Sequence, residues 1–390
     1  MLTFSRNPVL ATLADLLAPI SISEFLEAFR ARKRLYVVAS DPTRAETLLS
    51  WQDIDTLLSG HGLNENVSVQ RDGVLVPRQL YVSGGGRQLN VQAFHNLLSQ
   101  GVSIIVNAVD HSIPPIKNLA AAVEREMGIQ THVNAYLSFA KGGAFKPHWD
   151  SHDVLAVQVH GRKRWRIWKS EMLHPLETGV NVQVKASETE EIELGPGDVL
   201  FIPRGEPHAA AVSAERSVHL TIGLKSLTGI DFLNYICKEA RKDPISRMDL
   251  PRHSKAEQAD MHEATLKRQF HQLIDAVSMS QFLQKDDLAR LPASQTTVVG
   301  KSPSVDDMLR LTLRRRIPLP DPVEGDPRPI TIGNEAYRLS PVSIDVLRWL
   351  FDHDLAPLGA IHAGLAPGHE PDAIDTAIHE LLRFGLVTTN

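Results

Sequence analysis

The 390-residue chain is 43% hydrophobic and 22% charged, the balance of a globular protein long enough for two or three domains and at least one sizeable core. A formal net charge of −5 gives no overall attraction to nucleic acid or to an anionic membrane. A single cysteine, Cys237, excludes an intrachain disulfide framework and points to a reducing compartment.

The opening segment, MLTFSRNPVLATLADLLAPIS, is interrupted by Arg6, Pro8, Asp15 and Pro19. It reads neither as a signal-peptide core nor as a membrane span, so a cytoplasmic protein is expected. Residues 21–34, SISEFLEAFRARKR, carry a surface-helix pattern: Ser21 and Glu24 have capping-box spacing, and Phe25, Leu26 and Phe29 form an apolar face. Between about 35 and 115 the signal is mixed, with short β-rich runs (LYVVA, SIIVNAV) and a helix-like stretch near 90–100. SGGGR at 83–87 lacks both the Lys-Ser/Thr of a phosphate loop and the Gly-x-Gly-x-x-Gly spacing, and so reads as a flexible loop.

Residues 131–225 change character. THVNAYLSFA, DVLAVQVH, KRWRIWK, EEIELG, DVLFIP and RSVHLTIGL are strand-like runs, separated by the turn signals KGGAFKP, HGR, LGPGD and PRGEPH. This pattern predicts an antiparallel barrel or sandwich within an α+β protein, with the double-stranded β-helix (cupin or jelly roll) as the leading variant. After Leu227 the chain turns helical. SKAEQADMHEATLKRQFHQLIDAV opens with Ser254 and Glu257 at capping-box spacing and places Leu266, Phe270, Leu273, Ile274 and Val277 on one face, a stripe suited to core or to a dimer contact. The Pro-rich RRRIPLPDPVEGDPRP (314–329) reads as a linker. Beyond it ITIGNEAYRLS reads as strand, PVSIDVLRWLFDH as helix, and EPDAIDTAIHELLRFGLVTTN as helix then strand, a set that suggests a winged helix. From Pro318 to Asn390 there are eleven Asp/Glu against four Arg and no Lys, a surface that would repel a phosphate backbone, so direct DNA binding is not expected.

The chemistry concentrates in PHWDSHDVLAVQVHGRKRWRIW, Pro147 to Trp168. Strand alternation puts His148 and Asp150 on one face, and FIPRGEPH supplies His208 from a Gly/Pro-rich turn. Two imidazoles and a carboxylate fill three adjacent positions on a metal and leave three open, which suits non-haem Fe(II) binding O2 and an organic co-substrate; zinc on the same ligands is the bland alternative. His152, His160 and His219 stand near as rivals. His152 lies where the chain should be leaving the metal, His160 sits in a turn beside Gly161 and is expected exposed, and His219 falls on a strand with Thr221, where it would line the pocket without ligating. Parity places Lys163, Trp165 and Ile167 on one face and Arg162, Arg164 and Arg166 on the other. An inward lysine in a barrel requires an anion, which a co-substrate carboxylate would supply. Asn134, Tyr136 and Ser138 share a face, three polar side chains that suggest a wet pocket.

These motifs together, Asn-x-Tyr-x-Ser, His-x-Asp, Gly-Arg-Lys-x-Trp and Gly-Asp-x-Leu-x-x-Pro-Arg-Gly-x-x-His, resemble the Jumonji C-type cupin of the bacterial-type ribosomal oxygenases. That family comprises Fe(II)- and 2-oxoglutarate-dependent protein hydroxylases. The resemblance runs over nearly the whole chain and implies three parts: a catalytic cupin domain with its N-terminal extension at 1–226, a helical dimerisation domain at 227–312 and a winged-helix domain at 313–390. It implies iron ligands His148, Asp150 and His208, with Lys163 on the far carboxylate of 2-oxoglutarate and Ser138 as a hydroxyl partner. Asn134 and Tyr136 match pocket positions, and Thr221 lines the same cavity. Lysine at position 163 is similar to the histidine-hydroxylating branch. A protein or peptide substrate, O2 and a homodimer are the partners so implied. A hydroxylase of a small peptide or natural-product precursor, and a non-catalytic cupin binding protein, are the alternative readings.

Overall fold

The computed structural model describes residues 10–59, 66–71, 73–83, 88–139, 142–143, 146–170, 172–185, 189–293, 303–333 and 335–389. Residues 84–87 of the SGGGR stretch, and 140, 141, 144 and 145 around the KGGAFKP turn, lie outside them. The chain divides into two compact units, Met1–Lys225 with His353–Ala356, and Ser226–Asp352 with Pro357–Asn390.

The first unit is built on an antiparallel sheet of ten strands among the described residues. Two long strands, Asp153–Trp168 and His208–Lys225, pair with each other and run through both halves of the sheet. At one end His208–Lys225 pairs with Gln130–Ser138, and Asp153–Trp168 with Val199–Ile202. At the other, Thr189–Leu194 joins the Lys163–Trp168 segment. One face of the larger half buries Leu155, Val157, Phe201, Leu220 and Ile222 against Leu13, Leu16, Phe25 and Leu119, helical residues that precede the barrel in sequence. Between the halves lies a smaller core of Val154, Ala156, Trp165, Ile167, Leu200 and Ile202. Removing such apolar surface from water, at about 25 cal/mol per Å², holds the layers together.

HGR was expected to be a turn between two strands. Instead Asp153–Trp168 is one continuous 16-residue strand, with an extra residue, Val159, between the paired Gln158 and His160 and a second register shift just past Gly161. Gly161 has φ 67, and a Cβ there would fall 2.1 Å from the Arg216 carbonyl oxygen, so only glycine fits. The buried Gln158 amide staples the bulge by donating to the His160 and Val218 carbonyls and to Ser217 Oγ at 2.8, 3.2 and 2.8 Å. The extra residue changes parity: Val154 and Ala156 face the inner core before it, Trp165 and Ile167 after it. His160, expected exposed, is therefore half-buried within the strand, its Nε2 3.0 Å from the Leu49 carbonyl and its ring stacked on Trp51. The alternation predicted for 162–167 holds. The three arginines are exposed and Lys163, Trp165 and Ile167 buried, with Arg166 and Arg162 paired to Glu191 and Glu193 on the adjoining acidic strand.

Four helices among the described residues escape the sequence pattern: Leu13–Leu17, Trp51–Ser59, Pro114–Met127 and Leu358–Leu365. In the second unit the helices Gly229–Ala240, Ala256–Ala276 and Met279–Ala289 follow one another. The capping box expected from Ser254 and Glu257 does not form; the helix starts at Ala256 with Lys255 at the N-cap and no side-chain cap bond. ITIGNEAYRLS, read as one strand, is a hairpin of Arg328–Ile332 and Glu335–Leu339, because Gly333 at φ 63 reverses the chain. The helices Pro341–His353 and Pro371–Arg383 supply Ile344, Leu347, Ile378 and Leu381 to the buried interior, and Met308–Leu311 pairs with Val387–Thr389. Among the described residues no helix is long and apolar enough to cross a membrane.

Candidate metal centre and adjoining pocket

His148 precedes the long strand Asp153–Trp168, and His208 opens the strand His208–Lys225. The two histidines form a mutual backbone bridge: His148 N–H donates to the His208 carbonyl at 3.1 Å, and His208 N–H returns the bond at 2.7 Å. The loop before His208 is tied to the other side of the site. Arg204 N–H donates to Asp153 Oδ1 at 2.8 Å, and Gly205 N–H to the Asp150 carbonyl at 3.0 Å. Gly205 has φ 85, and a Cβ there would lie 2.3 Å from the Met172 carbonyl oxygen, which explains the glycine of the Pro-Arg-Gly-x-x-His motif.

The side chains converge. One ligand-type atom from each of His148, Asp150 and His208 lies within 4.8 Å of the others, and among the described residues this is the group able to hold a metal. His208 Nε2 is 3.6 Å from Asp150 Oδ2. Each imidazole is oriented through its other nitrogen, His148 Nδ1 at 3.1 Å from the Lys146 carbonyl and His208 Nδ1 at 2.9 Å from the Glu206 carbonyl. A ring whose Nδ1–H donates to a carbonyl keeps its lone pair on Nε2, the arrangement that metal-binding histidines use. Burial, then the neighbouring His148, pushes His208 down to about 4, so its ring is neutral and able to ligate at physiological pH. Two imidazoles and one carboxylate fit a divalent iron site with open positions.

Beside the triad is a pocket lined by Tyr136, Lys163, Trp165, His219 and Thr221, with Val154 and Ala210 as its apolar wall. Lys163 is 2% exposed, and burial lowers its ammonium to about 7. Its Nζ lies 3.1 Å from His219 Nδ1. Tyr136 stacks on His219 at 4.9 Å, and burial together with Asp150 pushes its phenol up to about 12, so it remains a protonated donor. The other predicted pocket residues stand back from the cavity. Ser138 Oγ is bonded to Ser103 Oγ at 2.7 Å on the neighbouring strand, and Asn134 Oδ1 accepts from Ala108 N–H at 3.1 Å. His152 packs edge-on against His132, with ring centroids 4.7 Å apart. A second, larger cavity of about 600 Å³ is lined by Trp149 and Pro207, the sequence neighbours of His148 and His208, together with Trp168, Lys169, Met172 and Lys185. The sequence reading passed over this cavity, although Trp149 and Pro207 flank the ligand positions themselves.

Comparison with known proteins agrees with this geometry. Residues 111–232 match the family model of the JmjC domain. The chain is 30% identical over 222 residues to the bifunctional lysine-specific demethylase and histidyl-hydroxylase NO66 of Caenorhabditis elegans, covering 53% of this chain and 29% of that protein. Against NO66 of Drosophila willistoni the identity is 26% over 284 residues, covering 68% of this chain and 36% of that protein. The chain thus spans about a third of the length of these relatives. The structure of Escherichia coli YcfD, a ribosomal oxygenase, in complex with cobalt and 2-oxoglutarate, matches with a TM-score of 0.53 at 18% identity, covering 95% of this chain and 99% of that one. A second YcfD structure gives 0.54, covering 95% and 98%. At that identity the likeness is one of fold.

Proposed function

We propose that this chain, which carries a JmjC domain over residues 111–232, is an Fe(II)- and 2-oxoglutarate-dependent oxygenase that hydroxylates a side chain of a protein substrate. One observation carries the reading: a two-histidine, one-carboxylate triad shares a cavity with a buried lysine that has no carboxylate partner among the described residues. His148, Asp150 and His208 would hold the iron. Bound there, with O2 and 2-oxoglutarate, iron supplies the chemistry that puts one oxygen atom on a substrate C–H and the other into succinate, with release of CO2. Lys163 receives the carboxylate of 2-oxoglutarate that does not reach the metal, and the Tyr136 and Thr221 hydroxyls line the space between. Trp165, Val154 and Ala210 exclude water from it. The cavity beside Trp149 and Pro207 is wide enough for a side chain and the backbone around it, which supports a protein or peptide substrate over a small metabolite. The names of the relatives, a histidyl-hydroxylase and a ribosomal oxygenase, support the same choice.

Two features support a homodimer. Helix Ala256–Ala276 has no buried residue within one chain, and it leaves Met261, Phe270 and Ile274 exposed. The helices and hairpin after residue 313 support a winged-helix domain, and its acidic balance favours a protein contact over DNA. The single cysteine fits a cytoplasmic setting.

The test is conversion of 2-oxoglutarate to succinate with Fe(II) and O2, together with a mass-spectrometric search for proteins that gain one oxygen atom. His148→Ala and Asp150→Ala are expected to abolish both while leaving the circular dichroism spectrum unchanged. Turnover retained in either variant would overturn the assignment.

A further inference from the structure

We propose that His219 is a positioning residue: its Nδ1 holds the Lys163 ammonium at one point of the co-substrate pocket. This role rests on the co-substrate reading above and adds to it a residue that neither the motif set nor the metal triad identifies.

A lysine head group on four methylenes has three donors and many rotamers, so an anion site built on it gains affinity when the head group is fixed beforehand. Here the fixing partner is on the page. His219, 3% exposed, places Nδ1 3.1 Å from Lys163 Nζ. Because an ammonium only donates, Nδ1 is the lone-pair nitrogen and Nε2 carries the hydrogen. The imidazole is itself clamped on two sides. Tyr136, opposite His219 in the strand register, stacks on it at 4.9 Å and 13°, and Trp165 meets it edge-on at 5.3 Å and 83°. Burial, with Lys163 close by, holds the His219 ring far below its ordinary proton affinity, so it stays an acceptor. All four residues line the cavity that also contains His148, Asp150 and His208. One Lys163 N–H thus points at His219, which leaves two for a carboxylate.

The test uses the full chain loaded anaerobically with Co(II), with 2-oxoglutarate binding followed by calorimetry and metal binding measured separately. His219→Phe keeps a flat ring between Tyr136 and Trp165 but removes the acceptor; His219→Gln restores an acceptor without the ring. The expected result is a 2-oxoglutarate affinity about 10- to 100-fold weaker in His219→Phe, the scale of one buried hydrogen bond to a charged group, with partial recovery in His219→Gln. Co(II) affinity should match wild type in both variants, and in turnover assays KM for 2-oxoglutarate should rise while kcat holds. Wild-type affinity in His219→Phe overturns the proposal. So does loss of Co(II) binding alongside 2-oxoglutarate in both variants, which would make His219 a packing residue only. If the wild type itself binds no 2-oxoglutarate, the co-substrate reading falls, and this role falls with it.

Discussion

Lys163 shows how much one side chain can reveal when its surroundings are incomplete. Burial alone lowers its proton affinity from 10.5 to about 7. Between those values the unfolded chain holds a proton that the folded protein lacks, so stability rises with pH across this window. Below about pH 7 both states are charged, and the cost of the buried ammonium is fully present. Lys163→Met is therefore predicted to be more stable than wild type below pH 7, with the advantage fading toward pH 10.5, while 2-oxoglutarate binding is lost. Urea melts across that range check it; an advantage independent of pH would contradict the assigned burial. The same proton governs binding, since a dicarboxylate prefers the ammonium, so 2-oxoglutarate affinity should fall as pH rises above about 7. At this scale the sequence was informative where side chains alternate on a strand and blind where a partner comes from afar. The inward turn of Lys163 was legible from parity, whereas His148 and Asp150 precede the strand and meet His208 through the His148–His208 backbone bridge. The Ser103–Ser138 hydroxyl pair was not legible, because its members lie 35 residues apart in sequence.

Elements are positioned here by two glycines that no strand propensity explains. Gly161 lets the long strand change parity without breaking, and so turns Lys163 inward and its arginine neighbours outward. Gly205 lets the loop before His208 pass under Met172. Gly205→Ala is predicted to cost about 1–3 kcal/mol from the backbone conformation alone, more with the clash, and to weaken metal binding by displacing His208. Thermal melts with and without Co(II) would show it; a variant with wild-type stability and metal affinity would refute this account of the turn. The HGR turn signal was misread as a strand end for the same reason: a bulge and a turn carry the same glycine. The hairpin at Gly333 was missed in the opposite sense, a turn hidden inside a β-rich run.

On the scale of the whole molecule, the long helix of the second unit leaves part of its apolar stripe exposed. Helix Ala256–Ala276 has no fully buried residue, Leu266 and Leu273 are only half-buried, Phe270 and Ile274 are 43% and 48% exposed, and a helix gains most of its stability from packing. The chain should therefore sediment as a dimer, with Phe270→Asp shifting it toward monomer at unchanged helical content; a monomeric wild type would remove the dimer from the account. The passage from strands to helices after Leu227 was legible because the hydrophobic period changes there, while the short helices between strands were not, lacking a long apolar period. The most direct test of the central claim is an anaerobic titration of 2-oxoglutarate into the Fe(II)-loaded protein. The account predicts one equivalent bound, dependent on the metal and lost in Lys163→Met. Equal binding by wild type and Lys163→Met, or no binding by the metal-loaded wild type, would contradict it.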